Sequence, residues 1–136
     1  VELKNQNLSD YSKIANEIIS LAGKIKIWTF EGNLGAGKTT LIKQLCKEMG
    51  IQDSVHSPTF SLVNNYDDKV FHFDCYRLNN LEEAMDFGME EYLDSDKICL
   101  IEWPALVNDI LPYPRLSVEI SYNHQKSRDF LIKILD

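Results

Sequence analysis

Hydrophobic positions along the chain follow two alternating rhythms. Over residues 9–22, Ile14, Ile18, Leu21 and Ala22 recur at helical spacing, which predicts an amphipathic helix that Ser9 or Asp10 can cap. Residues 25–30 form a β-rich run suited to a buried strand. Gly32 to Gly37 interrupt it, and Leu41, Ile42, Leu45 and Met49 restore the helical period over 38–49, with Gly50 as the stop signal. Residues 60–66 and 70–75 are β-prone on either side of Asp67-Asp68-Lys69, the pattern of a hairpin. An acidic helical stretch, 81–93, is interrupted near Gly88. Residues 97–103 read as a second apolar strand ended by Pro104. Residues 116–122 and 130–135 alternate as strands around a polar turn at 123–126. The order is βα first, then strands with few crossover helices. It predicts an α/β fold in which a parallel core sheet is extended by antiparallel strands. No repeat, low-complexity tract or linker divides residues 1–136, so one domain is expected.

Composition narrows the partners. The hydrophobic fraction of 44% with 26% charged residues is that of a soluble globule. Fourteen Lys and Arg against 21 Asp and Glu leave a net charge of −7, which disfavours autonomous binding of tRNA, DNA or acidic membranes. No apolar run is long enough to cross a bilayer, and the first residues lack a signal peptide's basic-then-apolar pattern. Cys46, Cys75 and Cys99 are far apart and form no CxxC pair, so reduced buried thiols in a cytoplasmic setting are expected.

Gly32-Asn33-Leu34-Gly35-Ala36-Gly37-Lys38-Thr39 matches G-x-x-x-x-G-K-[ST] in full, between a predicted strand and a predicted helix. The spacing has a mechanical basis. Glycines let the backbone turn tightly so that successive N–H groups converge on a polyphosphate, and the helix N-terminus adds partial positive charge. In such a loop Lys38 reaches the β- and γ-phosphates and the Thr39 hydroxyl ligates Mg2+. A P-loop NTPase-like three-layer sandwich is therefore expected. A second strand must supply an acid for the metal or the attacking water, and two are candidates: Glu102 at the end of 98–101 and Asp74 at the end of 70–73.

The nucleotide and reaction follow by exclusion. The N-K-x-D segment of GTPases is missing from the sequence. The three arginines, Arg77, Arg115 and Arg128, do not form the paired lid of a small-molecule kinase. Asp86-Phe87-Gly88 lacks the H-R-D segment that a protein kinase requires. ATP hydrolysis remains, with an ATP-controlled binding module and a small-molecule kinase as alternatives.

Further segments follow the glycine-rich loop in order: Ser57-Pro58-Thr59-Phe60, His72-Phe73-Asp74-Cys75-Tyr76-Arg77-Leu78, Gly88-Met89-Glu90-Glu91-Tyr92-Leu93 and Ile101-Glu102-Trp103-Pro104. With the loop they resemble the TsaE family, the ATPase of bacterial tRNA threonylcarbamoyladenosine biosynthesis, from about residue 27 to 103 and more loosely beyond. The resemblance implies that Gly35, Ala36, Gly37, Lys38, Thr39 and Thr40 hold the ATP phosphates and that Thr39 and Glu102 serve Mg2+. It casts Thr59 as a switch-type threonine, Asp74 as a second functional acid and Arg128 as a residue near the nucleotide. Trp103 matches the family's tryptophan, as either a strand-end aromatic or a nucleotide or partner contact. Ala105 stands where relatives often carry another acid. The resemblance also implies partners similar to TsaD and TsaB. They would hold the tRNA while ATP turnover resets the complex between cycles. The acidic residues Glu82, Glu83, Asp86, Glu90 and Glu91 read as a solvated helical face, with partner docking as the alternative.

Overall fold

A strand buried on both faces has no polar side to show, and the runs before Glu31, broken only by the buried Thr29, and before Glu102 meet that condition. The computed structural model describes residues 1–136 except 34, 59–60 and 124–126. Its elements run β1 (Glu2–Gln6), α1 (Tyr11–Ala22), β2 (Ile27–Glu31), α2 (Lys38–Glu48), β3 (Val63–Tyr66), β4 (Val70–Asp74), α3 (Leu81–Phe87), α4 (Met89–Leu93), β5 (Ile98–Glu102), β6 (Arg115–Tyr122) and β7 (Arg128–Leu135). Short 3-10 turns occupy Leu8–Asp10 and Pro104–Ile110. One seven-stranded sheet has the order β1-β7-β6-β2-β5-β4-β3 among the described residues. The four central strands, β6, β2, β5 and β4, are mutually parallel, while β7, β1 and β3 add antiparallel edges. This is the expected parallel core with antiparallel extensions.

Strand alternation sorts the core into two layers of side chains. Trp28 and Phe30 of β2, Leu100 of β5 and Leu116, Val118 and Ile120 of β6 pack against Ile14, Ile18, Leu41 and Leu45 of α1 and α2. On the opposite face, Phe71, Phe73, Cys99 and Ile101 pack against Ala84, Met89, Leu93 and Val107 of α3, α4 and the second 3-10 turn. Helices therefore cover both faces, as a three-layer sandwich requires. The acidic residues of α3 and α4 point outward: Glu82, Asp86, Glu90 and Glu91 are exposed and Glu83 is half-buried.

Two elements differ in detail from the sequence reading. The first helix begins at Tyr11, because Leu8–Asp10 winds as a 3-10 turn. Asp10 accepts a hydrogen bond from the Asn7 N–H at 2.8 Å, so it caps that turn instead of α1. The strand β1 was not foreseen, and it pairs antiparallel with β7. The predicted helix break near Gly88 is a left-handed glycine with φ 90° that separates α3 from α4.

Candidate functional site

The parallel strands β2, β4 and β5 all end on one side of the sheet, where open α/β sheets place their ligand crevice. Asp74 and Glu102 are register partners at those ends, and Phe30 is the register partner of Glu102 on β2. The glycine-rich loop leaves β2 at the same edge and delivers Lys38 as the first residue of α2. A cleft of about 260 Å³ opens there, lined by Gly37, Lys38, Thr39, Asp74, Glu102 and Trp103 among others. Gly35, Thr40, Ser57 and Tyr76 complete its wall.

The loop is shaped by close contacts. An added Cβ at Gly32 would lie 2.6 Å from the Ile120 carbonyl oxygen, so β6 excludes any side chain there. Gly37, the N-cap of α2, adopts φ 106° and offers no side-chain cap. The first amides of α2 thus face the cleft with no side-chain cap at Gly37, the arrangement that attracts anions. The Leu41 N–H already bonds the Gly37 carbonyl at 2.9 Å. Arg128 clamps the loop from β7: its Nε donates to the Ala36 carbonyl at 2.8 Å and Nη2 to that of Gly35 at 3.3 Å. Its guanidinium also stacks 4.2 Å from the Tyr122 ring centre.

Lys38 is buried to 5% exposure. Its ammonium donates to the Gly32 carbonyl and, at 3.1 Å, to that of Asn33, and it lies 4.1 Å from the centre of the Trp103 ring. Burial lowers its pKa, while the carboxylates of Glu102 and Asp74 act in the opposite direction. The Thr39 hydroxyl lies 3.3 and 3.4 Å from the two Glu102 carboxylate oxygens and 2.9 Å from the Ser57 hydroxyl. Glu102 is buried, and its Oε2 sits 2.7 Å from Nε2 of the fully buried His72. Asp74 is half-buried and accepts a 3.0 Å bond from the Tyr76 N–H. Burial raises its pKa, partly offset by that amide, and nearby Glu102 raises it further.

The structure thus gathers Gly35, Gly37, Lys38, Thr39, Thr40, Asp74 and Glu102 around one cleft, with Ala36 and Arg128 forming the adjoining loop contact. Thr59 lies outside the described residues. Of the two acids, Glu102 meets Thr39. Trp103 contacts Lys38 and also packs 4.8 Å from the Tyr76 ring, in a left-handed conformation with φ 57°. Three polar residues of the site went unassigned in the sequence reading: His72, Ser57 and Tyr66. His72 and Ser57 lay inside the quoted segments. The role of His72 depends on the register of β4 against β5 and that of Ser57 on the return of the 52–58 segment to Thr39, neither of which linear spacing carries.

The donor set suits a hard cation beside a polyphosphate. One hydroxyl and one carboxylate leave room for phosphate oxygens and water, the usual coordination of Mg2+. A family model described as "Threonylcarbamoyl adenosine biosynthesis protein TsaE" matches residues 5–130. The chain belongs to the TsaE family. It is 38% identical over 117 residues to the tRNA threonylcarbamoyladenosine biosynthesis protein TsaE of Bacillus subtilis, covering 84% of this chain and 73% of that protein. The TsaE protein of Haemophilus influenzae is 40% identical over 114 residues, covering 81% and 72% respectively. The crystal structure of YdiB from Bacillus subtilis superposes with a TM-score of 0.81 at 28% identity, over all of this chain and 86% of that one. Membership accords with the site, since three of the four segments that follow the loop supply Ser57, Asp74, Tyr76, Glu102 and Trp103 to the cleft, while Met89 and Leu93 of the fourth pack into the core.

Proposed function

We propose that this TsaE-family chain binds ATP with Mg2+ in the cleft at the ends of β2, β4 and β5 and hydrolyses it to drive tRNA threonylcarbamoyladenosine modification. The observation that carries the reading is the meeting of Lys38, Thr39 and Glu102 at an uncapped helix N-terminus. Gly35 to Thr40 bind the phosphates through backbone N–H groups, and Lys38 places its charge on the terminal ones. Beyond Thr40 an opening of about 560 Å³, lined by Asn7, Ser9, Tyr11, Thr40 and Arg128, gives room for the nucleoside. Thr39 and Glu102 would hold Mg2+, which when bound neutralises charge on the transferred phosphoryl group. Glu102 and Asp74 are the groups able to orient an attacking water.

The partners in this reading are TsaD-like and TsaB-like proteins in the cytoplasm, and ATP turnover resets their complex between cycles. The net charge of −7 supports indirect contact with tRNA, through the partners. Among the described residues no helix is long and apolar enough to cross a membrane. Calorimetry with ATP and Mg2+, followed by phosphate release in the presence of the partners, tests the proposal. Lys38→Ala should abolish both heat and turnover. Glu102→Ala should lower turnover at least ~100-fold while weakening ATP binding far less. Unchanged phosphate release by both variants would refute it, and so would removal of Mg2+ by EDTA without effect.

A further inference from the structure

Glu102 is tied to more than the glycine-rich loop. Behind it, inside the sheet, His72 is fully buried between two partners on opposite sides of its ring. Nε2 lies 2.7 Å from Glu102 Oε2, and Nδ1 lies 2.9 Å from the Tyr66 hydroxyl. Tyr66 ends β3, the hairpin partner of β4. Its hydroxyl donates to the His56 carbonyl at 2.7 Å and accepts from the His56 N–H at 3.2 Å. Asn64 also donates to that carbonyl, at 2.9 Å. The residue after His56 is Ser57, whose hydroxyl is 2.9 Å from Thr39. A closed circuit results: Glu102, His72, Tyr66, the His56 peptide, Ser57, Thr39 and back to Glu102.

We propose that His72 and Tyr66 are positioning residues that lock the Glu102 carboxylate and the 52–58 segment into one geometry, so that Ser57 and Glu102 meet Thr39 together. The proposal rests on the reading of Thr39 and Glu102 as the metal-side pair. Burying an imidazole and a carboxylate in a sheet is unfavourable unless both are bonded, and an apolar pair would fill the same space without that cost. What the polar pair adds is direction. Nε2 holds Oε2 of Glu102 at 2.7 Å, which fixes the carboxylate with both its oxygens turned to the Thr39 hydroxyl, Oε1 at 3.3 Å and Oε2 at 3.4 Å. The other end of the segment is fixed independently, because the Asp67 carboxylate accepts from the Gln52 and Asp53 N–H groups at 2.6 and 3.0 Å. The relay therefore governs the Ser57 end. It also couples the edge hairpin β3–β4 to the cleft, a link by which anything that moves 52–58 would be felt at Glu102.

Two measurements test this. Tyr66→Phe keeps the ring and removes the hydroxyl, and His72→Gln keeps an N–H for Glu102 but cannot serve Tyr66 as well. In the nucleotide-free protein, hydrogen exchange at the His56 amide should quicken about tenfold in Tyr66→Phe, with the amides of β2 and β5 unchanged. In partner-stimulated turnover, Tyr66→Phe should lower kcat about tenfold with KM for ATP within about twofold. The double variant Tyr66→Phe with Ser57→Ala should be no worse than the more impaired single variant. His72→Gln should recover turnover relative to His72→Leu. Unaltered exchange at His56, an unaltered kcat, or additive losses in the double variant would each overturn the relay. If the wild-type chain hydrolyses no ATP, the proposed function fails while the exchange measurement still reports on the tie.

Discussion

At Gly37 the backbone has φ 106°, and an added Cβ would lie 2.6 Å from the Tyr11 hydroxyl oxygen. That oxygen belongs to a ring packed edge-on against Phe130 at 5.6 Å, so it has little freedom to retreat. Gly35 also has positive φ, at 78°, yet nothing lies within 4 Å of its hypothetical Cβ. The two positions therefore separate backbone strain from steric conflict. Gly35→Ala should cost about 1–2 kcal/mol, the strain of a left-handed non-glycine residue. Gly37→Ala should cost a further ~1 kcal/mol or more through overpacking, and should weaken ATP binding more. Urea denaturation and calorimetry on the two variants check this. Adding Tyr11→Phe to Gly37→Ala should restore part of the difference. Equal losses at both glycines would show that Tyr11 imposes no constraint on the loop.

Helix α3 starts from Asn80, whose side chain accepts the Glu83 N–H at 3.0 Å, and its first turn carries Glu82 and Glu83. Both features favour a helix N-terminus. Asn80→Ala should lower stability by about 1 kcal/mol and Asn80→Gly by only a few tenths, measured as a shift in urea midpoint at constant slope. A loss from alanine no larger than that from glycine would argue against the cap. This helix was legible in the sequence because its period and its glycine stop are local. So were β2 and α2, and with them Lys38 and Thr39, whose spacing is itself the mechanism. β1 was not legible. Only Leu3 and Gln6 of its five residues are half-buried, and Asn5 adopts φ 57°, so no alternation marks it. It forms because β7 offers an open edge, where the Val1 nitrogen donates to the Ile132 carbonyl at 2.8 Å. Glu102 was legible as an acid ending an apolar run. The partner that holds it was not, since His72 meets it only through the register of β4 against β5.

The three cysteines join the two core layers in a common response to pH. Cys46 lies on the α1–α2 side of the sheet, Cys75 and Cys99 on the other, and all are free and buried. Burial pushes each thiol from 9.0 up to about 12, because a thiolate would lose its hydration among apolar neighbours. The unfolded chain releases these protons near pH 9, while the folded chain keeps them to about pH 12. Across that window the folded state binds more protons, so folding stability falls as pH rises. Below pH 9 both states are protonated and the thiols contribute no slope. At pH 10 the loss should be roughly 1 kcal/mol per thiol, enough to lower Tm by several degrees in a chain of this size. Melting curves under reducing conditions from pH 7.5 to 10.5 measure it. Replacing all three cysteines with alanine should lower Tm at pH 7.5 through lost packing, yet flatten its decline above pH 9. If the variant keeps the wild-type slope, other groups govern alkaline unfolding and the thiols ionise alike in both states.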